Sequence, residues 1–182
     1  MATEVRETLI PGVLELVGHP FRDHRGAFLN AFRIEEPAFS KAWGDRAIAQ
    51  VNLSCTEDVG AVRGLHLQLS PYSEAKLIRC IRGCVWDVAV DLRPGSATNG
   101  LWHAVELSPN AANALLIPEG CAHGFQVLEA SSELLYLHSG TWVTEAEKGV
   151  RFNDPQLAIH WPLTPLGLSV RDLALPLLAS MP

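Results

Sequence analysis

Apolar residues along this chain recur with a period of two far more often than with the three-to-four spacing of a helix. The runs AFLNAF, AIAQVNL, KLIRCI, CVWDVAVDL, LWHAVEL, ALLIP and ELLYLHS are short, several alternate, and Gly, Pro, Asn and Ser separate them. Many short strands at such intervals predict an all-β sandwich or barrel. Only EPAFSKAWGD and the tail around LSVRDLA read as short helices. No repeat, low-complexity tract or linker interrupts the pattern, so residues 1–182 read as one domain.

Composition then narrows the function class. A formal charge of -6 and a pI near 5.6 argue against nucleic acid or an anionic membrane as the partner. An anionic small molecule stays open, because a few local arginines suffice for a phosphate. The start, MATEVRETLIPG, has acids where a signal peptide carries a basic end and an apolar block. The apolar tail LALPLLASMP is broken by Pro176 and falls short of the roughly 18 residues of a spanning helix. A soluble, cytoplasmic protein is expected. Cys55, Cys80, Cys84 and Cys121 stand in apolar contexts without the two-residue spacing of a zinc or redox motif, and are expected as buried free thiols.

The stretch from Val62 to Ser96 holds His66, Gln68 and Lys76 inside a strand-like apolar run. Lys76 and Arg79 cannot both point away from a core on one regular strand, and a buried lysine without a partner is costly. Asp87 and Asp91 alternate with Val88 and Val90, which puts the two carboxylates on one face. One is expected to support His123 and the other to meet solvent.

Gly60 to His66, with Gln68 two further on, and Pro118 to His123, with its PEGCAH turn, resemble the two half-motifs of the cupin superfamily. That resemblance implies a cupin-type antiparallel jelly-roll barrel with a site in its mouth and a few short helices around it. Metal-binding cupins place a second histidine where this chain has Gln68. A neutral amide is a poor ligand, and two histidines with the loosely spaced Glu74 make a weak site, so no metal is expected.

A more specific resemblance runs through FRDHRGAF, QVNLS, VRGLHLQ, AKLIRCIRGCVWDVAVDLRPGS, IPEGCAHGF, LLY, DPQLAIHWP and LSVRD. In this order they resemble the signature blocks of the dTDP-4-dehydrorhamnose 3,5-epimerases, metal-free cupins, over nearly the whole chain. The resemblance implies epimerisation at C3, C5 or both of a nucleotide-linked 4-keto-6-deoxy sugar, with no cofactor. A hydrogen beside a ketone is acidic because its carbanion delocalises onto oxygen, so the reaction needs a base, a cation near that oxygen and an acid on the opposite face. By similarity His66 is the base, Asp172 its orienting carboxylate, Lys76 the cation and Tyr136 the acid.

Arg63 and Arg25 match family positions that bind the nucleotide, with Phe28, Gln50 and Asn52 near the base or sugar. His123 is expected at the site beside them. The family forms homodimers in which an early strand closes the partner's pocket, so Arg25 and Phe28 are expected to act across that interface. Two positions depart from the family pattern: Asn30 replaces a glutamate, and Thr141 with Trp142 replaces a tyrosine pair. Trp142 can still stack on a base, so nucleotide binding is expected while thymine specificity stays open. A single-carbon epimerase, a 3,4-ketoisomerase of the same barrel superfamily and a non-catalytic sugar-nucleotide-binding cupin remain as alternatives.

Overall fold

The alternating positions of the strands sort into an inner and an outer face. The computed structural model describes residues 2–180, and there the chain builds two facing antiparallel sheets and a separate hairpin. The six-stranded sheet runs β1 (Glu4–Glu7), β2 (Leu14–Val17), β10 (Asn113–Ile117), β7 (Lys76–Arg82), β12 (Ser132–His138), β5 (Gln50–Thr56). The five-stranded sheet runs β13 (Glu147–Gly149), β6 (Val62–Gln68), β11 (Cys121–Val127), β8 (Val85–Asp91), β9 (Trp102–Leu107). The hairpin pairs β3 (Phe21–Asp23) with β4 (Gly26–Phe28). This is the cupin-like jelly roll the half-motifs imply.

Between the sheets, Ile78, Leu115 and Leu134 meet Val85, Ala89 and Phe125 in one apolar core. The outer faces are covered separately. Helix α1 (Pro37–Trp43) starts on a proline that supplies helical φ without needing its missing N–H, and it is too short to stand alone. It is held by burying Phe39 and Trp43 on Leu77, Leu116 and Leu137. Leu65, Leu67, Val88 and Val90 are covered by Val150 and Leu157, with Trp161 beside them. The tail carries α2 (Val170–Leu173), capped by Ser169, whose Oγ accepts from the Asp172 N–H.

Several expectations change in detail. AFLNAF is a strand only over its first residues, within β4, and continues as coil. Cys80 and Cys121 are buried free thiols, but Cys55 is exposed on β5 and Cys84 is half-buried. Lys76 faces inward, as the alternation requires of one basic residue, yet Arg79 is buried as well. Its guanidinium lies on the other face and donates to the carbonyls of Ala31, Ala112 and Asn113, while burial lowers its pKa to about 10. Asp91 does not meet solvent: it is sealed and accepts from Arg93, Ser96 and Thr98. Among the described residues no helix is long and apolar enough to cross a membrane.

Candidate active site

Residues three apart on a regular strand face opposite sides, so Arg63 and His66 should not share a cavity. β6 slips against β11, with His66 opposite His123 but Arg63 opposite Phe125. Three steps on one strand match two on the other, a bulge that re-aims side chains. Gly64 sits in the slip at φ 119°, and a Cβ there would lie 2.5 Å from the Gly124 Cα. The glycine in VRGLH is what lets the strands approach and turns both Arg63 and His66 into one space.

That space is a cavity of about 520 Å³ between β5, β7 and β12 on one wall and β6 and β11 on the other. His66 and His123 come from the second wall. His66 Nε2–H donates to Asp172 Oδ1 at 2.6 Å, a contact spanning 106 residues of sequence. The ring's Nδ1 then has no hydrogen-bond partner among the described residues. Burial alone would raise the Asp172 carboxyl, but the bonds from His66 and Ser169 outweigh it and hold the group below its ordinary value. His123 Nε2–H donates to Asp87 Oδ2 at 2.8 Å, so Asp87 is the carboxylate that supports it. Burial pushes the Asp87 carboxyl up, against the influence of His123.

Lys76, Tyr136 and His138 come from the first wall, on the inward faces of β7 and β12. Lys76 Nζ lies 3.4 Å from the His66 carbonyl and 3.4 Å from Glu74 Oε1. Burial lowers its proton affinity and Glu74 opposes the change. The Tyr136 hydroxyl shares a 3.2 Å hydrogen bond with Ser54 Oγ, and burial pushes the phenol well above its usual range. Its ring meets His123 edge-on, with centroids 5.9 Å apart. Lysine and phenol thus face the two histidines from the opposite sheet.

Around the mouth, Gln50, Asn52 and Trp142 line the same cavity. Gln50 Oε1 accepts from the Trp142 N–H, and Glu147 accepts from the Trp142 indole while Arg171 holds its other oxygen. Arg63 lines the cavity without forming a salt bridge among the described residues, its guanidinium donating only to Thr56 Oγ1 at 3.5 Å. Arg25 and Phe28 are not brought into this cavity. They sit on the exposed β3–β4 hairpin, with Arg25 paired to Asp23. Asn30 also lies outside the cavity lining.

Residues at the cupin metal positions do not fit a metal. His66 and His123 already spend Nε2 on carboxylates, and Glu74 is engaged by Lys76 and His138. Gln68 braces the next loop, donating to the carbonyls of Tyr72 and Thr141 and accepting from the Val143 N–H. Sequence reasoning passed over Ser54, Glu147 and Arg171. Ser54 alternates with Gln50 and Asn52, so period two could have found it, and Arg171 adjoins Asp172. Glu147 carries no signal of its own.

Comparison with known proteins places nearly the whole chain in one family. A family model for dTDP-4-dehydrorhamnose 3,5-epimerase matches residues 7–180. A dTDP-4-dehydrorhamnose 3,5-epimerase of Sinorhizobium fredii is 41% identical over 89% of this chain and 83% of its own length. A dTDP-4-dehydrorhamnose 3-epimerase of Streptomyces niveus is 42% identical over 90% and 78%. The crystal structure of a 4-keto-6-deoxy sugar epimerase from the novobiocin gene cluster of Streptomyces spheroides superposes with a TM-score of 0.92. It is 41% identical, over 98% of this chain and 89% of that one. With the family model spanning residues 7–180 and relatives above 40% identical over most of the chain, the chain belongs to the dTDP-4-dehydrorhamnose 3,5-epimerase family.

Proposed function

We propose that this protein is an isomerase that inverts C3, C5 or both of a dTDP-linked 4-keto-6-deoxy sugar in deoxysugar biosynthesis, using its own side chains. His66 removes the proton through Nδ1, Asp172 fixing the tautomer by its hold on Nε2 and stabilising the imidazolium that forms. Lys76 takes the charge that develops on the ketone oxygen. Tyr136 returns a proton from the other wall, and inversion follows because removal and return come from opposite sides. The observation that carries this reading is the opposition of the His66–Asp172 pair on one sheet to Lys76 and Tyr136 on the other, across a cavity sized for a sugar.

Arg63, with no carboxylate partner among the described residues, holds the diphosphate, while Gln50, Asn52 and Trp142 take the sugar and base end and His123 bounds the sugar pocket. The active form is a homodimer. Supporting this, edge strand β5 exposes Val51 and Leu53, the latter 68% accessible, and the β3–β4 hairpin exposes Phe21 and Phe28. Arg25 and Phe28 then complete the cavity of the second copy, and the cytoplasm, where sugar nucleotides are made, is the site of action.

Relatives of both kinds, 3,5- and 3-epimerases, are near in sequence. Incubation with dTDP-4-keto-6-deoxyglucose in deuterated water, read by NMR, separates the cases. Label at C3 and C5 is the double epimerase, label at one carbon the single epimerase. Label at neither contradicts the proposal and leaves a binding protein.

A further inference from the structure

Glu74 precedes β7 and Lys76 opens it, while His138 closes β12 as the register partner of Lys76. These three side chains meet inside the cavity, each residue only 8% exposed. Glu74 Oε1 lies 3.4 Å from Lys76 Nζ, and Glu74 Oε2 accepts from His138 Nδ1–H at 3.2 Å. The other ring nitrogen, His138 Nε2, is sealed from solvent and finds no hydrogen-bond partner among the described residues. A buried lone pair is less costly to leave unmatched than a buried N–H, so the ring proton belongs on Nδ1, where Glu74 takes it. The ring also lies nearly parallel to that of Tyr136, at 5.9 Å and 23°.

Burying a histidine for packing alone does not call for this arrangement. A leucine at 138 would fill the space beside Tyr136 without stranding a ring nitrogen. What leucine could not do is hold one oxygen of Glu74. Left without that donor, the carboxylate is free to turn both oxygens toward the ammonium or toward cavity water.

We infer that His138 is a positioning residue for the reaction: by holding Glu74 Oε2 it orients the carboxylate so that Oε1 alone meets Lys76, which sets where the ammonium stands beside the sugar. This rests on the reading of Lys76 as the cation facing the developing enolate. The proposed reaction assigns His138 neither the moving proton nor the nucleotide, so its influence belongs in kcat rather than in affinity. Its hydrogen bond reaches the reaction through Glu74, so that the two residues act as one unit, while its ring also packs beside Tyr136.

A double-substitution cycle in the full-length protein tests this, using dTDP-4-keto-6-deoxyglucose in deuterated water for turnover and exchange, and dTDP for affinity. His138→Leu is expected to lower kcat about tenfold and leave the Kd of dTDP within about twofold. Glu74→Gln is also expected to lower kcat, and the double variant to be no slower than Glu74→Gln alone. His138→Asn, whose amide nitrogen falls near Nδ1, should recover most of the loss although it is smaller and stacks less. His138→Gln, whose amide is displaced by one methylene, should not. Losses that multiply in the double variant, wild-type kcat in His138→Leu, or equal kcat in His138→Asn and His138→Gln would each overturn the inference. If His138→Leu does not fold, the Asn and Gln pair decides alone. Wild-type protein that shows no exchange overturns the epimerase reading and this inference with it; wild-type exchange with any of those three results overturns the inference only.

Discussion

Two histidine–carboxylate pairs line one cavity from neighbouring strands, and their surroundings differ as much as their chemistry agrees. His66 and His123 are register partners, and each donates through Nε2 to an aspartate. The His66 side chain is 25% exposed against 8% for His123. Asp172 arrives from the tail, beside Arg171 and under the Ser169 cap, and its carboxyl is held low. Asp87 is sealed inside β8, its Oδ1 has no hydrogen-bond partner among the described residues, and burial pushes its carboxyl up. An open pair whose carboxylate stays charged suits a ring that gains and loses a proton. A sealed pair suits a ring held still, here edge-on to Tyr136. In the proposed mechanism, environment rather than residue type separates the two roles.

The comparison breaks if the rings are interchangeable. His66→Ala is expected to lower kcat by about 10²–10⁴-fold with dTDP affinity nearly unchanged. His123→Ala should cost clearly less in kcat and show part of its effect in KM. Steady-state kinetics beside dTDP titration check both, and equal kcat losses would erase the distinction.

The carboxylates sharpen it further, with smaller effects. Asp172→Asn should depress turnover by leaving His66 in the wrong tautomer, whereas Asp87→Asn should cost less than about tenfold. Their stability effects should also diverge with pH. Asp172 has a folded-state pKa below its unfolded one, so it stabilises the fold above the ordinary carboxylate range and loses that contribution as pH falls. Asp87 is raised, so its ionisation opposes folding and acid relieves the penalty. Between about pH 6 and about pH 3, the melting-temperature advantage of wild type should shrink over Asp172→Asn and grow over Asp87→Asn. Advantages that move together would contradict the contrast.

Much of this architecture was legible because period two survives folding. The inward faces of β7, β8 and β12 are the alternating positions of KLIRCI, CVWDVAVDL and ELLYLHS. Periodicity failed where local chemistry overrode it. The Gly64 bulge puts Arg63 on the His66 side, and Asp91 finds a bed of hydroxyls and an arginine in the following turn rather than solvent. Joining Asp172 to His66 across 106 residues needed the family blocks, since no local pattern encodes so distant a contact. Glu74 and His138 were illegible as a pair, lying 64 residues apart on loop and strand. Arg25 and Phe28 stand apart from the cavity of their own chain, and only the proposed second copy would give them a place at a site.

Opposed walls are the centre of the proposed mechanism: His66 stands on β6 in one sheet and Tyr136 on β12 in the other. The most direct test is the ratio of deuterium wash-in to epimer formation, compared between wild type and Tyr136→Phe. Without the phenol, His66 can still remove the proton and return one from solvent to the original side, so exchange should outlast inversion and the ratio should rise. A packing defect that misplaces the sugar would slow both together. A ratio unchanged in Tyr136→Phe would take the tyrosine out of the acid role and contradict the two-wall mechanism.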